Sequence, residues 1–259
     1  EAAFTTLLQN EDNNNIAITD QNLTVSSGTI SVENANSLNG TPTGTVTASI
    51  DTTETVDTLV TLSGTGAYTI VIRSGDATNS TAAEFNTINS ATTVAIDASN
   101  VVEIASSNLS DVKTLLTAAN DTDQFTDSTG QVSFGGLTAV TVADATVDVS
   151  DFNAAVTQAN TATGKTTEAG GATVFTLSNV TAFNGGTASD FATLLTSENN
   201  GLISGGITTQ ALTVSGTVAV SAANDLNTTT TGVVTATITE GDMSTLASLA
   251  DKEEGQSTD

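Results

Sequence analysis

The 259-residue chain has no cysteine, no histidine and no tryptophan, and only one proline, one tyrosine and one methionine. Without cysteine there are no disulfides and no thiol chemistry. Without histidine there is no imidazole catalysis, no Ser-His-Asp triad, and no zinc or copper site built on His or Cys ligands. Aromatics make up 3 % of the chain, so its core has to be built from Val, Ile, Leu and Ala. Bases are scarce too. Arg73, Lys113, Lys165 and Lys252 stand against 29 acids, for a net charge of −25. That balance excludes nucleic acid as a partner, because nothing neutralises phosphates, and excludes a basic face for an anionic membrane. No run of about 18 apolar residues is present, so no membrane insertion is expected. No secretory leader is visible. The chain opens inside a motif, as expected of a mature N-terminus or of a segment from a longer array.

What is present is repetition. Residues 29–50 read TISVENANSLNGTPTGTVTASI and residues 217–238 read TVAVSAANDLNTTTTGVVTATI, with 13 of 22 positions identical and no gap. A shorter grammar runs between them. A Leu-Asn or Phe-Asn pair recurs at Leu38-Asn39, Phe85-Asn86, Phe152-Asn153 and Leu226-Asn227. A Thr-Leu pair flanked by apolar residues recurs at Leu7, Leu59, Leu115, Leu194 and Leu246, and alternates with the first signature. The full period is roughly 50 residues and the elementary unit roughly 20–30, within the range of stacked repeats.

Each unit begins with a β-branched run, such as 45–50, 68–72 or 93–97, which suits a half-buried strand. A polar turn and a short helical pattern follow. Residues 108–116 place Leu109, Val112, Leu115 and Leu116 on one face, and 187–195 repeat the scheme with Phe191, Leu194 and Leu195. Helices this short need a sheet to pack on. Strand–turn–helix units in series predict parallel strands joined by right-handed crossovers. The fold class expected is therefore a repeat solenoid, parallel β-strands with short helices stacked coil on coil. Tandem Ig-like β-sandwiches are the alternative. The expected organisation is one solenoid over 1–250, of about four double-units with an insertion near 155–172, and an acidic tail or linker at 251–259.

The run AANDLNTTTTGVVTATI at 222–238, followed by Met-Ser-Thr-Leu-Ala-Ser-Leu, resembles the tandem repeats of very large secreted proteins of cyanobacteria and other marine bacteria. The likeness is best at 29–62 and 217–249, weaker at 83–116 and poor across 155–185. It implies an extracellular, cell-surface role in adhesion or motility, and it brings no catalytic residues with it.

The sharpest chemical candidates are carboxylates. Asp121, Asp123 and Asp127, in the run NDTDQFTDSTG, offer hard oxygen ligands and imply Ca²⁺ as the one cofactor. The run lacks the Gly and the bidentate Glu of an EF-hand, and a solvated loop is the plainer reading. Asp144, Asp148 and Asp151 form a second cluster, in which Asp151 reads more simply as a helix cap. Paired carboxylates also serve glycoside hydrolysis, but aromatic sugar platforms are nearly absent. Lys113 reads as a solvated helix residue. Gly-Gly pairs at 135–136, 170–171 and 205–206 are turn punctuation with no base after them.

The expectation is a non-catalytic, secreted structural repeat protein of a surface layer, filament or giant adhesin. Its partners would be further copies or neighbouring repeats of the same chain. A glycan- or receptor-binding module, with contacts on 155–172, is the alternative; a polysaccharide-active solenoid enzyme comes third.

Overall fold

The structure, a computed structural model, describes residues 2–13, 16, 21–40, 44–120, 125–126, 134, 136–162 and 172–250. The chain opens with α1 (Ala2–Asp12), β1 (Leu23–Thr24), α2 (Val32–Asn39), β2 (Val46–Ser49), α3 (Val56–Leu59) and β3 (Ala67–Thr69). A 3₁₀ turn at Ser74–Asp76 leads to α4 (Ala82–Ser90), β4 (Ile96–Asp97), β5 (Glu103–Ser107), α5 (Leu109–Ala119) and β6 (Phe125–Thr126). There follow β7 (Ala139–Val142), β8 (Thr146–Asp148), α6 (Val149–Ala162), β9 (Val174–Thr176), β10 (Ala182–Asn184) and α7 (Ala188–Asn199). The chain then forms β11 (Ile203–Ser204), β12 (Ala211–Val218), α8 (Val220–Thr229), β13 (Val234–Ile238) and α9 (Met243–Leu246).

Hydroxyls and carboxylates fix where the helices start. Ser31 and Thr55 accept the amide hydrogens of Asn34 and Thr58 and so begin α2 and α3. Thr81 with Glu84, and Thr187 with Asp190, form reciprocal capping boxes on α4 and α7, each satisfying amides that have no partner inside the helix.

All the named strand pairs among the described residues are parallel. The strands form three sheets, in the orders β1-β2-β3, β11-β9-β7-β5 and β13-β12-β10-β8, and a separate two-stranded pair β4-β6. Consecutive helices pack side by side from α3 to α7. The core lies between helices and sheets and is built mainly of Val, Ile, Leu and Ala, as the composition indicated, but it also takes in Tyr68 and six of the few Phe residues, which the composition did not indicate. Phe152 on α6 is fully buried and meets Phe175 of β9 and Phe183 of β10 edge-on, at 5.3 and 6.0 Å between ring centres. It thereby ties one four-stranded sheet to the other.

This architecture corrects the expected fold class. The chain is an α/β fold with separate parallel sheets, not a solenoid. The unequal spacing of the units is the reason: one register cannot be carried through the chain. Between β3 and β4 only isolated bridges remain, Gly66 with Thr92 and Val71 with Asp97, and from β7 to β12 successive strands alternate between two different sheets. The Ig-like sandwich is overturned as well, since it needs antiparallel ladders. The stretch expected as an insertion, 155–172, begins inside α6, which continues to Ala162; residues 163–171 and the tail 251–259 lie outside the described residues.

Candidate functional site

A cleft of about 560 Å³ lies where α5 meets β8 and the start of α6, and Lys113, Asp144, Asp148 and Asp151 line it with Ser110 and Thr146. The second acidic cluster of the sequence is thus brought together in space. Each of its three carboxylates already has work to do in the fold.

Asp144 Oδ2 accepts the amide hydrogen of Leu109, the first residue of α5, at 2.6 Å. Asp148 Oδ1 accepts the Ser150 amide at 2.9 Å, the Ser150 hydroxyl at 2.7 Å and the Asp151 amide at 3.1 Å, so it caps α6. Asp151 is not the cap that the sequence indicated. Its Oδ1 takes a hydrogen from the Lys113 ammonium of α5, forming an ion pair across two helices. Lys113 is accordingly a cross-helix partner rather than a solvated side chain.

Partial burial pushes the Asp148 carboxyl up, but the Ser150 hydroxyl, the Asp151 and Ser150 amides and the Lys113 charge together outweigh it and hold its pKa below the ordinary value. A general acid in glycoside hydrolysis needs the opposite, a carboxyl kept protonated near neutral pH. Among the described aromatic side chains, Tyr68 and Phe85, Phe134, Phe152, Phe175, Phe183 and Phe191 are all buried and present no flat face to a sugar.

The use of Asp144 is one case of a general arrangement. The first amide of α2, on Val32, donates to Glu54 Oε1 at 3.0 Å, 22 residues on. That of α3, on Val56, donates to Asp76 Oδ2 at 3.0 Å, 20 residues on. The Ala82 amide of α4 donates to Ser107 Oγ at 2.9 Å, and the Val220 amide of α8 to Glu240 Oε2 at 3.1 Å. In every case the following unit supplies the acceptor. Asp76 is held in place by Arg73, whose Nε and Nη2 donate to its two oxygens at 2.8 and 3.1 Å; that ion pair, against some burial and with the Val56 amide, keeps its pKa low.

The asparagines of the repeat work the other way along the chain. Asn36 Nδ2 donates to the Thr61 carbonyl at 2.8 Å while its Oδ1 accepts the Ser63 amide at 2.8 Å. Asn224, its counterpart in the second copy, donates to the Ser248 carbonyl and accepts the Ala250 amide, both at 2.8 Å. Asn39 and Asn227 donate to the carbonyls of Ser63 and Ala250. Asn86 and Asn153 reach the carbonyls of Asp111 and Asp190 at 3.0 and 2.8 Å. The Leu or Phe before Asn39, Asn86, Asn153 and Asn227 is buried: Leu38, Phe85, Phe152 and Leu226. The Leu-Asn signature therefore encodes a core anchor followed by a clamp on the next unit. Sequence reasoning saw the signature but missed the clamp, along with Glu54, Asp76 and Glu240. Their common mark is an acid about one unit after the apolar residue that opens a helix.

Asp121, Asp123 and Asp127, with the Ca²⁺ that they imply, lie outside the described residues. Among the described residues no group of three His, Cys, Asp or Glu side chains is arranged to hold a metal ion, and no helix is long and apolar enough to cross a membrane. In comparisons with known protein families, with curated proteins and with solved structures, nothing matches this chain.

Proposed function

We propose that the chain is a non-catalytic structural module of an extracellular surface layer, filament or adhesin. The observation that carries this reading is where its polar side chains go. The carboxylates and asparagines of the repeat bind the backbone of a neighbouring unit, and the carboxylates lining the cleft between α5, β8 and α6 are engaged as caps or in the ion pair. A chain whose recurring polar residues join unit to unit is suited to bearing load along its length. Two features of the sequence favour a place outside the cell. The repeats resemble those of large secreted proteins of marine bacteria, and an excess of 29 acids over four bases suits a medium rich in screening cations.

Antibody against the purified chain should label intact producing cells at their outer surface. Labelling that appears only after permeabilisation would remove the extracellular reading. Release of reducing ends from surface polysaccharides by the purified chain would remove the non-catalytic one.

A further inference from the structure

The two copies of the long repeat fold alike but are covered differently. In the first, Val46, Ala48 and Ile50 are 0, 4 and 2 % exposed, because β3 lies against β2 through Thr47–Ala67 and Ala48–Tyr68 pairing. In the second copy the same residues are Val234, Ala236 and Ile238 on β13. They are only half-buried, and β13 ends its sheet.

The opposite end shows the converse. Residues 21–26, QNLTVS, match 210–215, QALTVS. Leu212 and Val214 are buried where β10 pairs with β12. Their counterparts Leu23 and Val25 are half-buried, and β1 ends its own sheet. The Thr-Leu signature follows suit. Leu59, Leu115 and Leu194 are buried, whereas Leu7 and Leu246 at the two ends are half-exposed. Three of the large hydrophobics left exposed, Val233 at 72 %, Met243 at 81 % and Leu249 at 40 %, flank β13.

Among the described residues no strand pairs with β13 on the side away from β12, and none pairs with β1 on the side away from β2, so these two parallel edges are open and of opposite sense. We infer that β13 takes the β1 edge of a second copy, strand beside strand and parallel, so that copies join head to tail. Such a contact is heterologous and does not close on itself, so it propagates into a filament. A net charge of −25 on each copy opposes the contact, and dissolved salt relieves that opposition. The inference rests on the structural reading above and names its partner. The two fail separately, since surface labelling tests that reading and self-association tests this one.

The test uses the whole chain with two variants, Ile238→Lys on β13 and Val25→Lys on the β1 side, with circular dichroism to confirm that both fold. Sedimentation velocity at rising concentration in high salt should show wild type as a series of species beyond the dimer. Each variant alone should remain a monomer, and their equimolar mixture should stop at the dimer, since only one competent edge of each kind remains. A wild type that stays monomeric under these conditions overturns the inference. So does a folded Ile238→Lys chain that associates like wild type, because the contact then lies elsewhere.

Discussion

The Asp144 carboxylate caps a helix to which it does not belong. Its Oδ2 takes the amide hydrogen of Leu109, 35 residues earlier, at 2.6 Å. The acceptor is a side chain from the next unit, so the start of α5 depends on β7 and β8 being in place. Replacing Asp144 by Ala should cost about 1 kcal/mol, the usual worth of a helix cap, seen as a melting temperature about 2–4 °C lower. Asp144→Asn keeps an acceptor oxygen and should lose clearly less. Equal losses in the two variants would mean that charge, not the hydrogen bond, matters there.

Acid should weaken the fold through the same caps. The Arg73 ion pair holds Asp76 low, the Thr187 hydroxyl and amide hold Asp190 low, and the Ser244 and Thr245 donors hold Asp242 at about 2. A carboxyl with a lowered folded pKa stabilises fully above its unfolded value of about 3.9 and loses that effect as pH falls through the lowered one. Falling pH also relieves the repulsion of a net −25 chain, so the measurement belongs in high salt, where repulsion is already screened. The melting temperature there should be flat above about pH 5 and decline steadily below about pH 4. A rise on acidification in high salt would contradict the capping role.

Phe152 joins α6 to both four-stranded sheets through Phe175 and Phe183. Phe152→Ala should cost about 3–5 kcal/mol, as expected of a large side chain removed from a packed core, while Phe152→Leu, which matches the Leu38 and Leu226 of other units, should cost far less. Urea denaturation of the two variants gives the comparison. A loss in the alanine variant no greater than that of a surface substitution would show that the two sheets are held together by other contacts.

Gly185 sits at φ 74° against the cap of α6. A Cβ added there would overlap the Asp148 carboxylate. Gly185→Ala should therefore cost more than the roughly 1–2 kcal/mol of a left-handed alanine, since it also displaces that cap. In an Asp148→Ala background the same change should cost less, leaving mainly the backbone term, and a double-mutant cycle measures the difference. Additive effects would separate the glycine from the cap.

Much of the local grammar was legible in the sequence. Helical spacing at 108–116 and 187–195 marks α5 and α7, which run on to Ala119 and Asn199. The strand expected over 45–50 is β2 with a bridge at Ile50. Those over 68–72 and 93–97 are shorter in the structure, because the ladder of β3 ends at Thr69 and that of β4 begins only at Ile96. The global arrangement was not legible. Periodicity showed that units repeat but not that unequal spacing would divide their strands among separate sheets. For the site, spacing grouped Asp144, Asp148 and Asp151 correctly and misassigned Asp151, because a carboxylate in the first turn of a helix looks the same whether it caps that helix or reaches across to Lys113. The longer-range caps, Glu54 to Val32 and Glu240 to Val220, leave no mark at the helix itself, since their acceptors lie one unit away in the chain.

The borrowed caps have a consequence for synthesis. As the chain leaves the ribosome, α2 emerges 22 residues before its acceptor Glu54, α3 20 residues before Asp76, and α5 35 residues before Asp144. Each of these nascent helices thus carries an open first amide until the next unit has been made. Folding should advance as a moving front, with the newest unit always loose and each earlier one locked by its successor. A ribosome stalled midway would hold a chain that is native behind that front and unfinished only at its growing edge.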